Sequence, residues 1–441
     1  MRQRIFYLLL LTLPLSATTL DGLISYSLEH SNVIKQSKTQ SELARLKHQE
    51  SHAEQFGSIN LVGGYTHYNL PRTLAPLTPA VIATDPLGVA TTKDMYNAGI
   101  TYAVPLFTGF AQTRQIEMDA LASSLAQSKL SLTKEQLAYN VASLYLSVLA
   151  FQDMAEAQKK HVKALRKLRN TIASEVSLGK KAKIDLLKAE NDLYGNISYL
   201  EVIRGNIEIT KASLASLVGI DHLGALHTVN VSVKKPRYSI ADLMHKADSL
   251  NRIKISEYNV KKAKKGVEKS ESALMPQVSL DSYFGYNYGE NDPTNPRAGD
   301  WANEQNWQVG VNAKWTVFDF GKRDATIQKA KIAKMQAESD KIQAVMDLQK
   351  LLIEAQQKIR QAFANYQGNL KQYALAKASE KIERVRYENG VSTINDLLYA
   401  TSQTQLSRAK LIESKYNYQK GKFYMNYLLE RGISRNDSYR R

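Results

Sequence analysis

The sequence predicts a mainly α chain that carries a small membrane β-sheet, with the whole arrangement built twice in tandem. Three observations predict it: a repeat at a fixed offset, two long proline-free stretches with heptad spacing, and two segments that alternate apolar and polar residues.

The repeat comes first. Phe107 and Phe318 lie 211 residues apart, and at that offset Gly179 meets Gly390, Asp185 meets Asp396, Ala189 meets Ala400 and Leu217 meets Leu428. The offset holds without a gap from Tyr96 and Trp307 onward. Upstream it becomes 221, where Gly64-Tyr65 meets Gly285-Tyr286. The difference falls in 69–95 against 290–305, and length variation of that kind marks a loop.

The helices follow from proline placement and periodicity. No proline stands between Pro105 and Pro236, and none follows Pro296. Leu137, Val141, Leu144, Val148, Phe151 and Ala155 step 4-3-4-3-4, and Leu348, Leu352, Ala355, Ile359, Ala362 and Tyr366 step identically. That spacing is a coiled-coil seam. Helices over 110–177 and 321–388 would each run about 100 Å. The turns Leu178-Gly179-Lys180 and Asn389-Gly390-Val391 follow, and shorter helices return over 182–218 and 392–430. Helices over 21–56 and 240–273 precede the strands.

The strands follow from period two. Trp307, Val309, Val311, Ala313, Trp315 and Val317 are apolar, and the residues between them are polar or small. Tyr96, Ala98, Ile100, Tyr102 and Val104 repeat the pattern. Trp307 and Trp315 would lie about 26 Å apart on a strand, close to a membrane barrel's apolar band of about 25 Å. Trp307, Trp315 and Tyr96 are therefore the candidate membrane girdle. Partner strands at 59–69 and 277–289 alternate less cleanly. Each half thus gives one hairpin, 59–107 or 277–318. Four strands leave unpaired edges, which lipid does not tolerate, so several chains must share a barrel.

Composition narrows the function. Lys and Arg number 59 against 42 Asp and Glu, a formal charge of +17, but the cations are interleaved along helical patterns. With no reading module, the charge gives no nucleic-acid partner. The absence of cysteine excludes disulfides and thiolate metal sites. No metal spacing, phosphate loop or nucleophile context appears, so neither an enzyme nor a cofactor is expected. Residues 1–17 read as a secretory signal, with Arg2 and Arg4 before the apolar run Ile5–Leu13. The expected division is 1–17 signal, 18–219 first repeat (helix, β-hairpin, helical hairpin 110–218), 220–239 linker, 240–430 second repeat (helical hairpin 321–430) and 431–441 polar tail. A periplasmic coiled-coil adaptor or a structural envelope protein remains an alternative. The first would carry one hairpin with lipoyl-like domains, and the second would not need Trp-bounded alternation.

With the junctions Pro105-Leu-Phe-Thr-Gly109 and Val317-Phe-Asp-Phe-Gly321, and the turns Gly-x5-Asp-Leu-Leu-x-Ala after Gly179 and Gly390, the chain resembles the TolC-like outer-membrane efflux proteins over nearly all its mature length. The resemblance implies a homotrimer whose 12-stranded barrel continues into a periplasmic α-helical coiled-coil tunnel. It implies a passive exit duct for an efflux pump or type I secretion system. The partners would be a periplasmic membrane-fusion adaptor, an inner-membrane pump of RND or ABC type, and outer-membrane lipid. Asp396 matches an aspartate ring at the tunnel entrance, and Tyr399 stands where a second acidic position would be. Asp185 and Tyr387 match a pair that holds the entrance closed, while Ser392 and Ile184 replace that network's Arg and Thr. Leu178, Gly179, Lys180, Asn389, Gly390 and Val391 match the adaptor-contact turns, with Lys181 and Lys183 adding positive charge to the first.

Overall fold

A computed structural model describes residues 19–84 and 89–432. The expected signal sequence and most of the polar tail lie outside the described residues. In chain order the elements are α1 (Leu20–His30), α2 (Asn32–Ala53), β1 (Ser58–Thr73), α3 (Pro79–Thr84), β2 (Thr91–Phe107), α4 (Ala111–Ser177), α5 (Lys183–Val218), α6 (Ile240–Met244), α7 (Asn251–Glu271), β3 (Gln277–Glu290), β4 (Trp301–Lys314), α8 (Lys322–Glu388) and α9 (Ile394–Leu428). No described helix is long and apolar enough to cross a membrane.

The chain divides into two compact units. The first comprises 40–127 and 255–341 and holds the sheet. Its strands run β1-β2-β3-β4, each antiparallel to the next, so β1 and β4 are the edges. The register puts Leu61 beside Ile100, Ile100 beside Phe284, and Phe284 beside Trp307. Because side chains alternate, one face carries Ile59, Leu61, Tyr65, Tyr96, Ile100, Val104, Leu280, Phe284, Trp307, Val309 and Val311. The other carries Asn60, Asn97, Thr101, Asp281, Asn287, Asn306 and Asn312. At the junction to α4, Gly109 has φ +61°, and a side chain there would collide with the Ser272 carbonyl. Beyond it, Arg114 and Lys265 each pair with Glu117 and Glu268, tying α4 to α7 at 2.9–3.0 Å.

Four expectations change. The helix expected over 21–56 is broken at Ser31, whose extended backbone (ψ 134°) caps α1. The one over 240–273 is broken between Met244 and Asn251, where the Glu430 carboxylate accepts from the backbone nitrogens of Asn251 and Arg252 and so caps α7. The strands run into the expected loop, with β1 reaching Thr73 and β4 starting at Trp301. The first strands also align at 219, not 221: Ser58 and Gln277 open β1 and β3, and only that offset lets both hairpins share one register.

The second unit comprises the described residues of 1–39, 128–254 and 342–441. The heptad seams form its core: Val141, Val148, Leu348, Leu352 and Ile359 are fully buried. The linker 220–239 has almost no regular structure, so its carbonyls need partners. Tyr145 donates to the His227 carbonyl at 2.7 Å, Tyr418 to that of Lys234 at 2.6 Å, and Gln356 to that of Tyr238 at 2.7 Å.

Candidate functional site

The two turns of the helical hairpins form the candidate site, and they share one backbone motif. Gly179 (φ +70°) and Gly390 (φ +72°) are left-handed. Lys180 N donates to the Glu175 carbonyl and Val391 N to that of Arg386, both at 2.8 Å. Gly179 N reaches Val176 O, and Gly390 N reaches Tyr387 O. Each long helix therefore ends in a Schellman motif, in which glycine adopts the left-handed backbone without penalty and orphan carbonyls gain donors. Leu178 and Val391 stay exposed beside these glycines.

One apolar cluster joins the two turns. Ile172 of α4, Ala189 of α5, Tyr387 of α8, and Ile394 and Leu397 of α9 are buried together. The sequence-expected residues Tyr387 and Asp185 are thus brought close, but they are not hydrogen-bonded. The Tyr387 hydroxyl is buried without a hydrogen-bond partner among the described residues. Burial first, then the negative charges of Asp185 and Glu175, push this phenol up to about 12. Lys181 Nζ stands 4.3 Å from the centre of its ring, a cation–π contact. Arg169 and Glu190 link α4 to α5, with Nε at 3.0 Å.

The helices that leave the turns start differently. The N-cap of α9 is Thr393, in a full capping box with Asp396. The Asp396 carboxylate accepts from Thr393 N at 2.9 Å and from Thr393 Oγ1 at 2.7 Å. Those bonds hold the Asp396 carboxyl below the usual carboxylate range. It is exposed, as is Tyr399, and both line an open cleft of about 410 Å³ with Glu383, Arg386 and Ser392. Sequence reasoning passed over Thr393 in this role, although Thr-x-x-Asp before an apolar run signals it. At the start of α5 the N-cap is Ala182, which offers no side-chain acceptor.

In the sheet, Trp307 lies within β4 and is 71% exposed. Trp315 falls just beyond the strand, where its indole donates to the Leu274 carbonyl at 3.0 Å. Trp301 packs at a tilt against Tyr96 with ring centres 5.7 Å apart, and Tyr96 against Tyr65 at 4.9 Å. The aromatic group at this end of the sheet is thus Trp301, Tyr96 and Tyr65. Trp301 is the first residue of β4.

The family model described as outer membrane efflux protein matches residues 23–220 and 251–421. The chain belongs to that family. It is therefore an outer-membrane protein of the TolC type, with a helical part that extends into the periplasm. The outer membrane protein TolC of Vibrio cholerae is 21% identical over 331 residues, 74% of each protein. Among solved structures, CusC superposes with a TM-score of 0.78 at 16% identity, covering 93% of this chain and 91% of that one. The Neisseria gonorrhoeae channel MtrE, in its open state, gives 0.74 at 16% identity over 93% and 88%. These likenesses show the shared fold: four strands per chain, joined to long helical hairpins.

Proposed function

We propose that the chain is one third of a passive exit duct, which carries cargo from a periplasmic adaptor and an inner-membrane pump to the cell exterior. One observation carries the reading. The sheet exposes a continuous apolar face, with Ile59 74% and Leu61 86% accessible, and its edges β1 and β4 have no strand partner among the described residues. In lipid each unpaired edge group costs several kcal/mol, so strands of neighbouring copies have to complete the sheet. Three copies supply the 12 strands that the family resemblance implies.

The hairpin turns are the proposed entrance and adaptor contact. Leu178 and Val391 offer exposed apolar surface at tight turns on Gly179 and Gly390, Lys180 and Asn389 add a cation and an amide, and Asp396 places a carboxylate beside them. Three copies of Asp396 around one axis would concentrate negative charge, which attracts cations into a constriction. RND-type efflux and ABC-type secretion both use such a duct, and the chain's own residues favour neither.

The test is conductance of the purified trimer in a planar bilayer. Asp396→Ala is expected to weaken block by divalent and trivalent cations, whereas Thr393→Ala leaves the carboxylate in place and preserves block. Equal block in wild type and Asp396→Ala would remove Asp396 from the pore.

A further inference from the structure

The helices α8 and α9 are drawn together at two points and part between them. Gly421 of α9 faces Ile359 of α8 so closely that a side chain there would come within 3.0 Å of it. Further along α8, Asn369 Nδ2 donates to the Lys410 carbonyl at 3.1 Å. From Ile359 to Asn369 is about 15 Å of helix. The open cleft between these points has a volume of about 530 Å³. Tyr139 of α4 joins Tyr424, Ala355 and Ala362 in its apolar wall, and the two phenol rings stand 5.4 Å apart. Three lysines line the cleft, Lys358, Lys410 and Lys420, against one carboxylate, Glu413. Lys358 and Lys410 are exposed, but Lys420 is half-buried and has no ion-pair partner among the described residues. Burial pulls its ammonium below the usual lysine range, and the charge of Glu413 offsets this only in part. The whole lining comes from one chain, and from one of its two compact units.

We propose that this cleft is a binding site for an organic anion with an apolar body, whose charge sits on Lys420 and whose body lies against Tyr139 and Tyr424. A partly buried ammonium without a counter-ion has lost hydration and gained nothing in return. An anionic group brought to it is therefore favoured more than at an exposed lysine. The phenol rings give a flat or chain-like body a surface to pack on. Asn365 and Asn417 line the same cleft, and their amides can donate to the oxygens of a carboxylate or sulfonate. Clefts of about 300–1,000 Å³ that hold small ligands have this make-up, apolar walls with a few placed polar groups. The excess of lysine over carboxylate disfavours a cationic ligand. The cleft's length admits an aromatic carboxylate such as naphthoate. The site goes beyond the duct reading, because it needs no second copy of the chain.

The test is isothermal titration of naphthoate, and of the neutral naphthalenemethanol, into the purified protein in lipid nanodiscs, with empty discs as the blank. Naphthoate is expected to bind saturably at one site per chain, about tenfold tighter than the alcohol, the factor that a hydrogen bond to a charged group carries. Lys420→Met should weaken naphthoate about tenfold and leave the alcohol unchanged. Should that change disturb folding, two variants at exposed positions carry the test with opposite signs. Asn417→Glu puts a second carboxylate in the cleft and should lower naphthoate affinity severalfold, whereas Glu413→Gln removes the first and should raise it. Naphthoate that binds no tighter than the alcohol, or with an affinity that these variants leave unchanged, would overturn the site. An unheated gel of the same samples reads the trimer separately. Loss of the trimer would count against the duct, and loss of naphthoate binding by an intact trimer would count against the cleft alone.

Discussion

The two helical turns have the same backbone and different chemistry. Both end a 67-residue helix in a Schellman motif on a glycine, and both bury residues in one cluster. The second turn restarts its helix with a side-chain cap, Thr393 with Asp396, whereas the first restarts on Ala182 with no acceptor. Cations surround the first: Lys180, Lys181 and Lys183 stand within four residues. The difference shows that duplication conserved the geometry of the bend while leaving helix initiation and charge free to diverge. A turn starting on Ala182 depends more on the shared cluster than one locked by its own capping box.

Breaking that cluster should therefore have the largest effect. Ile172→Ala, at a fully buried position, is expected to cost about 2–5 kcal/mol locally. Limited proteolysis should cut near 178–183 well before 389–393. Equal cutting at both turns would show that the cap gives no local protection.

Acid should separate the hairpins next. His161 of α4 is buried, and burial draws its imidazole down to about 4. A base with a lowered folded pKa binds fewer protons folded than unfolded. Its neutral packing is thus fully favourable above about pH 6.5 and is lost as pH falls toward 4, by about 3 kcal/mol in all. His161→Gln should flatten that slope in hydrogen exchange of α4 and α5. Asp396 responds in a different window. Its lowered carboxyl stabilises the cap above the ordinary carboxylate range, and that contribution is lost only below about pH 4. Exchange at the start of α9 should hold until then.

Backbone and cap changes should be smaller and more local. Gly390→Ala and Gly179→Ala place a side chain at left-handed φ, with nothing within 4 Å to clash, so each should cost about 1–2 kcal/mol from conformation alone. Thr393→Ala should cost about 1 kcal/mol. Ala182→Ser should stabilise the first turn by a few tenths to about 1 kcal/mol, narrowing the difference between the two.

Much of the fold was legible because it follows from periodicity. The seam residues Leu137, Val141, Leu348, Leu352 and Ile359 are buried as their spacing required. The period-two segments are strands of one sheet, and the turn glycines fall at the helix ends. What escaped depends on contacts between distant residues. The Glu430 carboxylate meets the start of α7 across 179 residues of sequence. Leu74 O meets Asn287 and Asn306 across 213 and 232. No local pattern encodes such bonds. At the candidate site, the positions of Tyr387 and Asp185 were readable from the family pattern. The missing hydrogen bond between them was not, because it depends on how Lys181 and Ile172 pack around the phenol. Thr393 was readable from local spacing alone.

In the proposed duct, separate copies complete one lipid-embedded sheet. Electrophoresis of the outer-membrane fraction in dodecyl sulfate tests it most directly. Unheated samples should run as a trimer and boiled samples as a monomer, the pattern of a closed barrel whose edges pair between subunits. A protein that leaves the membrane without detergent, and runs as a monomer before and after heating, would contradict it.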